Sequence, residues 1–91
     1  MDWAVYLLRC SDGTLYCGVT RDVERRLAEH NGLRAGGAKY TMSRRPVELV
    51  AAVPASDRAE ALRLELRVKR MRRADKLAFF TRGVPAAETS G

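Results

Sequence analysis

Ala4-Val5-Tyr6-Leu7-Leu8-Arg9-Cys10-Ser11-Asp12-Gly13-Thr14-Leu15-Tyr16-Cys17-Gly18-Val19-Thr20 is the stretch on which the fold turns. Ala4 to Cys10 and Leu15 to Thr20 are rich in Val, Leu, Tyr and Thr, and Ser11-Asp12-Gly13-Thr14 between them is a turn signal, so a β-hairpin is predicted. The register carries the chemistry. A two-residue Asp12-Gly13 turn would set Tyr6 and Tyr16 on opposite faces, because side chains alternate along a strand. A three-residue Ser11-Asp12-Gly13 loop, with Gly13 left-handed as a bulge, pairs Tyr6 with Gly18 and Leu8 with Tyr16. Both tyrosines then share a face, and Cys10 and Cys17 fall on opposite faces, too badly placed for a disulfide. The three-residue loop is the reading adopted.

After the hairpin, Asp22 is a good N-cap for a short helix, Val23-Glu24-Arg25-Arg26-Leu27-Ala28-Glu29-His30, which Asn31-Gly32 should stop. Arg26 and His30 are four residues apart, so they stack on one helix face beside Leu27 and look toward the sheet. Taken singly, Arg26 reads equally well as a surface ion-pair partner, and His30 as a favourable charge at a helix C-terminus. From Asn31 to Pro46 the chain is basic and lacks periodicity, a loop with room for one helical turn. Arg34, Lys39, Arg44 and Arg45 suit phosphates there, and Tyr40 suits stacking on a base. A solvated connector is the plainer alternative. A third strand is expected over about Val47 to Val53, ending at Pro54.

The longest predicted helix runs from Arg58 to Arg73, capped by Ser56 or Asp57, with Glu60 completing a capping-box-like pair. At about 100° per residue, Glu60, Arg63, Arg67 and Arg70 fall on one flank, which is the expected solvent side. Ala59, Ala61, Leu62, Leu64, Leu66, Val68 and Met71 fill most of the rest. Glu65 projects among these apolar residues, where a carboxylate must be paired, protonated or metal-bound. Lys69, one turn on, offers an ion pair. A hydrated Mg²⁺, which needs only one or two carboxylates, offers a sharper role.

Composition sets the outer bounds. The 91 residues suffice for one small domain, and Lys plus Arg exceed Asp plus Glu by 17 to 11, a net charge of +6. Such a balance favours polyanions, chiefly nucleic acid, or an anionic membrane surface. No apolar run approaches the eighteen or so residues of a membrane span, and Met1 to Ala4 lacks a signal-peptide pattern, so a cytoplasmic protein is expected. Two cysteines and one histidine make neither a disulfide scaffold nor a zinc site. Residues 1–82 should form the domain. A short helix is expected near Asp75 to Phe80, and residues 83–91 should be a disordered tail.

Ala4-Val5-Tyr6, Tyr16-Cys17-Gly18, Arg26, His30 and Glu65 together resemble, in order and spacing, the GIY-YIG nuclease superfamily. The run from Gly18 to Asn31 is the most specific part. The likeness extends from about Trp3 to Leu77 and is nearest to the small stand-alone bacterial proteins that carry this domain and little else. It implies an α/β fold of the α+β type, a three-stranded antiparallel sheet flanked by helices. It also implies an endonuclease that uses one Mg²⁺ or Mn²⁺ ion to hydrolyse phosphodiesters of DNA, with RNA as the alternative substrate.

By this resemblance Tyr6 or Tyr16 positions or deprotonates the attacking water, Arg26 stabilises the phosphoryl oxygens, Glu65 holds the metal, and His30 assists proton transfer or orients a tyrosine. Arg34, Lys39, Tyr40, Arg44, Arg45 and Lys69 are the expected nucleic-acid contacts. A tyrosine of ordinary pKa near 10 is a poor base at pH 7, so Arg26 or the metal is expected to lower it. Nucleases of this type usually bring a recognition domain or partner, so a targeting protein is a further expectation. The alternative is a non-catalytic nucleic-acid-binding module on the same fold.

Overall fold

Cys10 and Thr14 close the hairpin: the Cys10 amide donates to the Thr14 carbonyl at 2.8 Å and the Gly13 amide to the Cys10 carbonyl at 2.9 Å. Ser11-Asp12-Gly13 is therefore a three-residue loop, and Gly13 takes φ +86°, a left-handed conformation that a residue with a Cβ resists. The Asp12 carboxylate steadies the loop, accepting from the amide and hydroxyl of Thr14. The register follows, with Tyr6 opposite Gly18 and Leu8 opposite Tyr16.

The computed structural model describes residues 2–82, so the predicted tail lies outside the described residues. Its elements are β1 (Trp3–Arg9), β2 (Leu15–Thr20), α1 (Val23–His30), α2 (Lys39–Met42), β3 (Glu48–Ala55), α3 (Arg58–Lys69) and α4 (Arg73–Arg82). The strands form one antiparallel sheet in the order β2-β1-β3, which leaves β2 and β3 as edges. β3 begins one residue later than predicted and continues through Pro54, which an edge strand tolerates, to Ala55 opposite Trp3. Leu7 pairs with Ala51 and Leu8 with Leu49, so Val50 is an extra residue in a bulge.

Central β1 is covered on both faces. Val5 and Leu7 join Cys17, Val53 and Ala55 under Ala61 and Val68 of α3 and Phe80 of α4. Tyr6, Leu8, Cys10 and Val47 form the opposite cluster, with Tyr16 and Leu27 packed against it. Alternation along the strand thus sends neighbouring side chains to different layers, and both cysteines are buried and free. At roughly 1.5–3 kcal/mol for each large apolar side chain fully buried, the double layer is the main source of stability.

The helix ends follow their caps. Asp22 accepts from the Arg25 amide at 3.1 Å. Asp57 is the α3 N-cap, accepting from the Glu60 amide at 2.8 Å, while the Glu60 carboxylate reaches back to the amide and hydroxyl of Ser56. α3 ends at Lys69 with Arg70 as its cap, short of the predicted Arg73, and α4 begins there, ahead of the predicted Asp75. Among the described residues no helix is long and apolar enough to cross a membrane.

Candidate active site

α1 lays its last residue, His30, fully buried against the tyrosine face of the sheet. His30 Nε2 lies 2.8 Å from the Tyr6 hydroxyl and Nδ1 2.8 Å from Thr41 Oγ1. Thr41 Oγ1 donates its single hydrogen to the Ala38 carbonyl at 2.9 Å, so toward His30 it can only accept. Nδ1 therefore carries the imidazole proton. Nε2 must then accept, and Tyr6 donates to it. Arg26 Nε completes the chain, donating to the Tyr6 oxygen at 3.4 Å.

The proton stays on Tyr6. Arg26 pulls the Tyr6 phenol down, as expected, but burial outweighs that pull and pushes it up to about 12, so the net shift is opposite to the one expected. Burial, helped by the Arg26 charge, brings His30 down to about 4. With the phenol raised and the imidazole lowered, proton transfer within the pair is unfavourable. His30 is therefore a neutral, fixed acceptor, and Tyr6 a fixed donor.

Arg26 is set from three directions. Besides Tyr6, its Nη1 donates to Glu29 Oε1 and to the Gly36 carbonyl, each at 2.7 Å. Three of its five N–H groups are thus engaged and Nη2 keeps two, with about a quarter of the side chain open to solvent. Tyr16 stands next to this group, its ring edge-on to His30 at 5.1 Å and tilted against Tyr6 at 6.5 Å. Among the described residues the Tyr16 hydroxyl has no hydrogen-bond partner.

The basic loop is more committed to the fold than its composition suggests. Arg44 Nε pairs with Asp12 at 3.0 Å, its Nη1 donates to the Tyr40 carbonyl, and its guanidinium lies 4.0 Å from the Tyr40 ring centre. Tyr40 also stacks on Tyr16 at 5.6 Å, so its ring already has protein neighbours where a base was expected. Arg45 Nε caps α1, donating to the His30 carbonyl at 2.7 Å. Arg34 and Lys39 are exposed. Thr41 and Glu29 are not singled out by the sequence, and Asn31 is read there only as a helix stop. Glu29 sits three residues after Arg26, a readable helical pairing, and Asn31 exchanges two hydrogen bonds with the Val47 backbone.

Glu65 is not in this cluster. It lies four residues after Ala61 and three before Val68, the two buried residues of α3, so it shares their side of the helix and meets the opposite face of the sheet. Its charge acts on the Cys17 thiol, which burial already pushes up to about 12. Its Oε2 pairs with Lys69 Nζ at 3.2 Å, and the side chain is 20% exposed rather than sealed in. Leu66, expected on the buried side, is also exposed, because only a narrow strip of α3 meets the sheet. Among the described residues no three His, Cys, Asp or Glu side chains converge, so a closed metal cage is not formed. One solvent-reached carboxylate fits the other kind of site, a hydrated Mg²⁺ or Mn²⁺.

This fold and the tyrosine, arginine and histidine cluster define a domain of the GIY-YIG kind, and the sequence model of the GIY-YIG catalytic domain matches residues 2–78. The chain belongs to that family. Its relatives are UPF0213 proteins. One from Nitratidesulfovibrio vulgaris is 54% identical over 84% of this chain and 67% of its own length. Another, from Halobacterium salinarum, is 50% identical over 84% of this chain and 96% of its own. A solution structure of an E. faecalis protein superposes with a TM-score of 0.61 at 36% identity, covering 89% of this chain and 84% of that one.

Proposed function

We propose that this chain is an endonuclease that hydrolyses phosphodiester bonds in nucleic acid, DNA before RNA, with one Mg²⁺ or Mn²⁺ ion. The observation that carries the reading is Arg26: three bonds hold its guanidinium rigid beside two tyrosines while Nη2 keeps two donors open. A planar donor pair so held matches two oxygens of a phosphodiester and stabilises the charge that grows on them. Tyr6 and His30 position Arg26 and stay protonated as they are. The Tyr16 hydroxyl, unpartnered among the described residues, orients the attacking water.

Glu65 would hold the metal ion, which when bound stabilises charge on the leaving oxygen. Tyr16 and Cys17 are neighbours on β2, an edge strand, and point to opposite faces. On this reading the phosphodiester lies along the open edge of β2, where groups of the two faces meet it. Incubation with duplex, branched and single-stranded substrates should give nicking in Mg²⁺ or Mn²⁺ that EDTA stops. Tyr16→Phe, which removes an oxygen the fold does not use, should slow it at least about tenfold with thermal stability unchanged. Full activity in that variant would remove Tyr16 from the mechanism.

A second reading draws on the sheet that separates Glu65 from the cluster and on the Glu65–Lys69 pair. It is a non-catalytic nucleic-acid-binding module on the same fold. Its signature is salt-sensitive, metal-independent binding with no cleavage under any condition.

A further inference from the structure

Beside Arg26 lies a cavity that the proposed chemistry does not use. It measures about 450 Å³ and is bounded by Leu33, Arg34, Gly36, Met42 and Arg45 among others. That volume falls within the roughly 300–1,000 Å³ of small-ligand sites. Its rim holds two large apolar side chains left in water, Leu33 at 81% exposure and Met42 at 56%. Arg34 is exposed, with no acidic partner among the described residues. Gly36 joins the cavity to the site, because its carbonyl accepts from Arg26 Nη1 at 2.7 Å.

We propose that this cavity receives one unpaired base, that of the nucleotide next to the phosphate on Arg26. The placement of that phosphate rests on the nuclease reading above; the cavity does not. A nucleobase has two apolar faces and a polar edge. Leu33 and the Met42 thioether can cover a face, sulfur being a good neighbour for an aromatic ring. Arg34 and the backbone of the loop can meet the edge and the adjoining phosphate. A base inside a duplex is unavailable unless it is flipped, at a cost of about a few kcal/mol, so single strands, bulges and frayed junctions are selected over uniform duplex.

The test is equilibrium binding by fluorescence anisotropy in EDTA, so that no cleavage is needed. A labelled duplex with one bulged nucleotide is compared with the same duplex carrying an abasic residue at the bulge. The intact base should bind about tenfold tighter, as expected for one base stacked on protein. In Leu33→Ala/Met42→Ala, both sites being at the surface, that ratio should fall below about twofold, with an unchanged far-UV circular dichroism spectrum. Equal binding of base and abasic bulges by the unaltered protein would overturn the proposal. So would an undiminished ratio in the double variant, or a dimer that the double variant dissolves, which would make a second copy the occupant. Base discrimination without cleavage would keep the cavity and discard the nuclease.

Discussion

The two faces of the sheet are made by the same strands and put polar groups to opposite use. On the α1 face Tyr6, His30 and Thr41 are buried and bonded in one chain, with Arg26 at its open end. On the α3 face the core is apolar, and its acid, Glu65, stands at the margin with one exposed lysine. Polar groups sealed from water must satisfy one another and become rigid, whereas a carboxylate at the rim keeps access to water and ions. Damage to the buried Tyr6–His30–Thr41 chain should therefore appear first as lost stability, whereas loss of the Glu65 carboxylate, like loss of the Tyr16 hydroxyl, should appear as lost activity.

The largest effect is expected from the rim. Glu65→Gln should lower metal-dependent cleavage by at least about a hundredfold, because an uncharged amide holds Mg²⁺ poorly. It should shift stability by no more than about 0.5 kcal/mol, since the pair with Lys69 is half-exposed and such pairs contribute little. Equal cleavage by the variant would end the metal-ligand assignment. Cleavage and stability falling together would erase the division between the faces.

His30→Ala probes the closed face. It removes a fully buried ring and leaves the Tyr6 hydroxyl without its acceptor, which together should cost roughly 3–4 kcal/mol in urea unfolding. A loss below about 1 kcal/mol would mean that the chain of bonds is slack and that His30 does not fix Tyr6.

The same histidine makes stability depend on pH. Its folded pKa of about 4 lies below the ordinary 6.5, so between those values the unfolded chain binds the extra proton. The contribution is complete above about pH 6.5 and is lost as pH falls toward 4. Glu29 and Glu60 are shifted down from the ordinary carboxylate value, the first by Arg26 and the second by the Ser56 amide, so they add to the loss of stability in acid. Between pH 7 and 5 the loss should be about 2 kcal/mol, and His30→Gln should flatten it. A flat profile in the unaltered protein would show that His30 reaches solvent.

The closed face was also the more legible in the sequence. Gly13 sets the loop, the loop sets the register, and Asp22 and Asn31-Gly32 bound the helix that carries Arg26 and His30, all by local rules. Thr41 was not legible, because it lies in an aperiodic loop and its role exists only when that loop folds back onto His30. The structural bonds of Arg44 and Arg45 were hidden for the same reason: their acceptors, Asp12 and the His30 carbonyl, are distant in sequence. The helical projection of Glu65 found the right side of α3. Which face of the sheet α3 covers depends on the path of the chain after β3, and no local pattern encodes that.

Gly18→Ala is the most local of these tests. Gly18 faces Tyr6 across the strand pair, and a Cβ built there would lie 2.6 Å from the Tyr6 Cζ and closer still to its hydroxyl. The ring fills the space that a side chain would need. Because Tyr6 is held by Arg26 and His30, it cannot swing away without breaking the chain, so Ala at this position should cost about 1–3 kcal/mol, as overpacking generally does. The displacement should travel to Arg26 and slow cleavage while leaving the Glu65 side untouched, so Mg²⁺ dependence should keep its midpoint as the maximal rate falls. A shifted metal midpoint would mean that the two faces are coupled through β2 rather than merely joined at its edge.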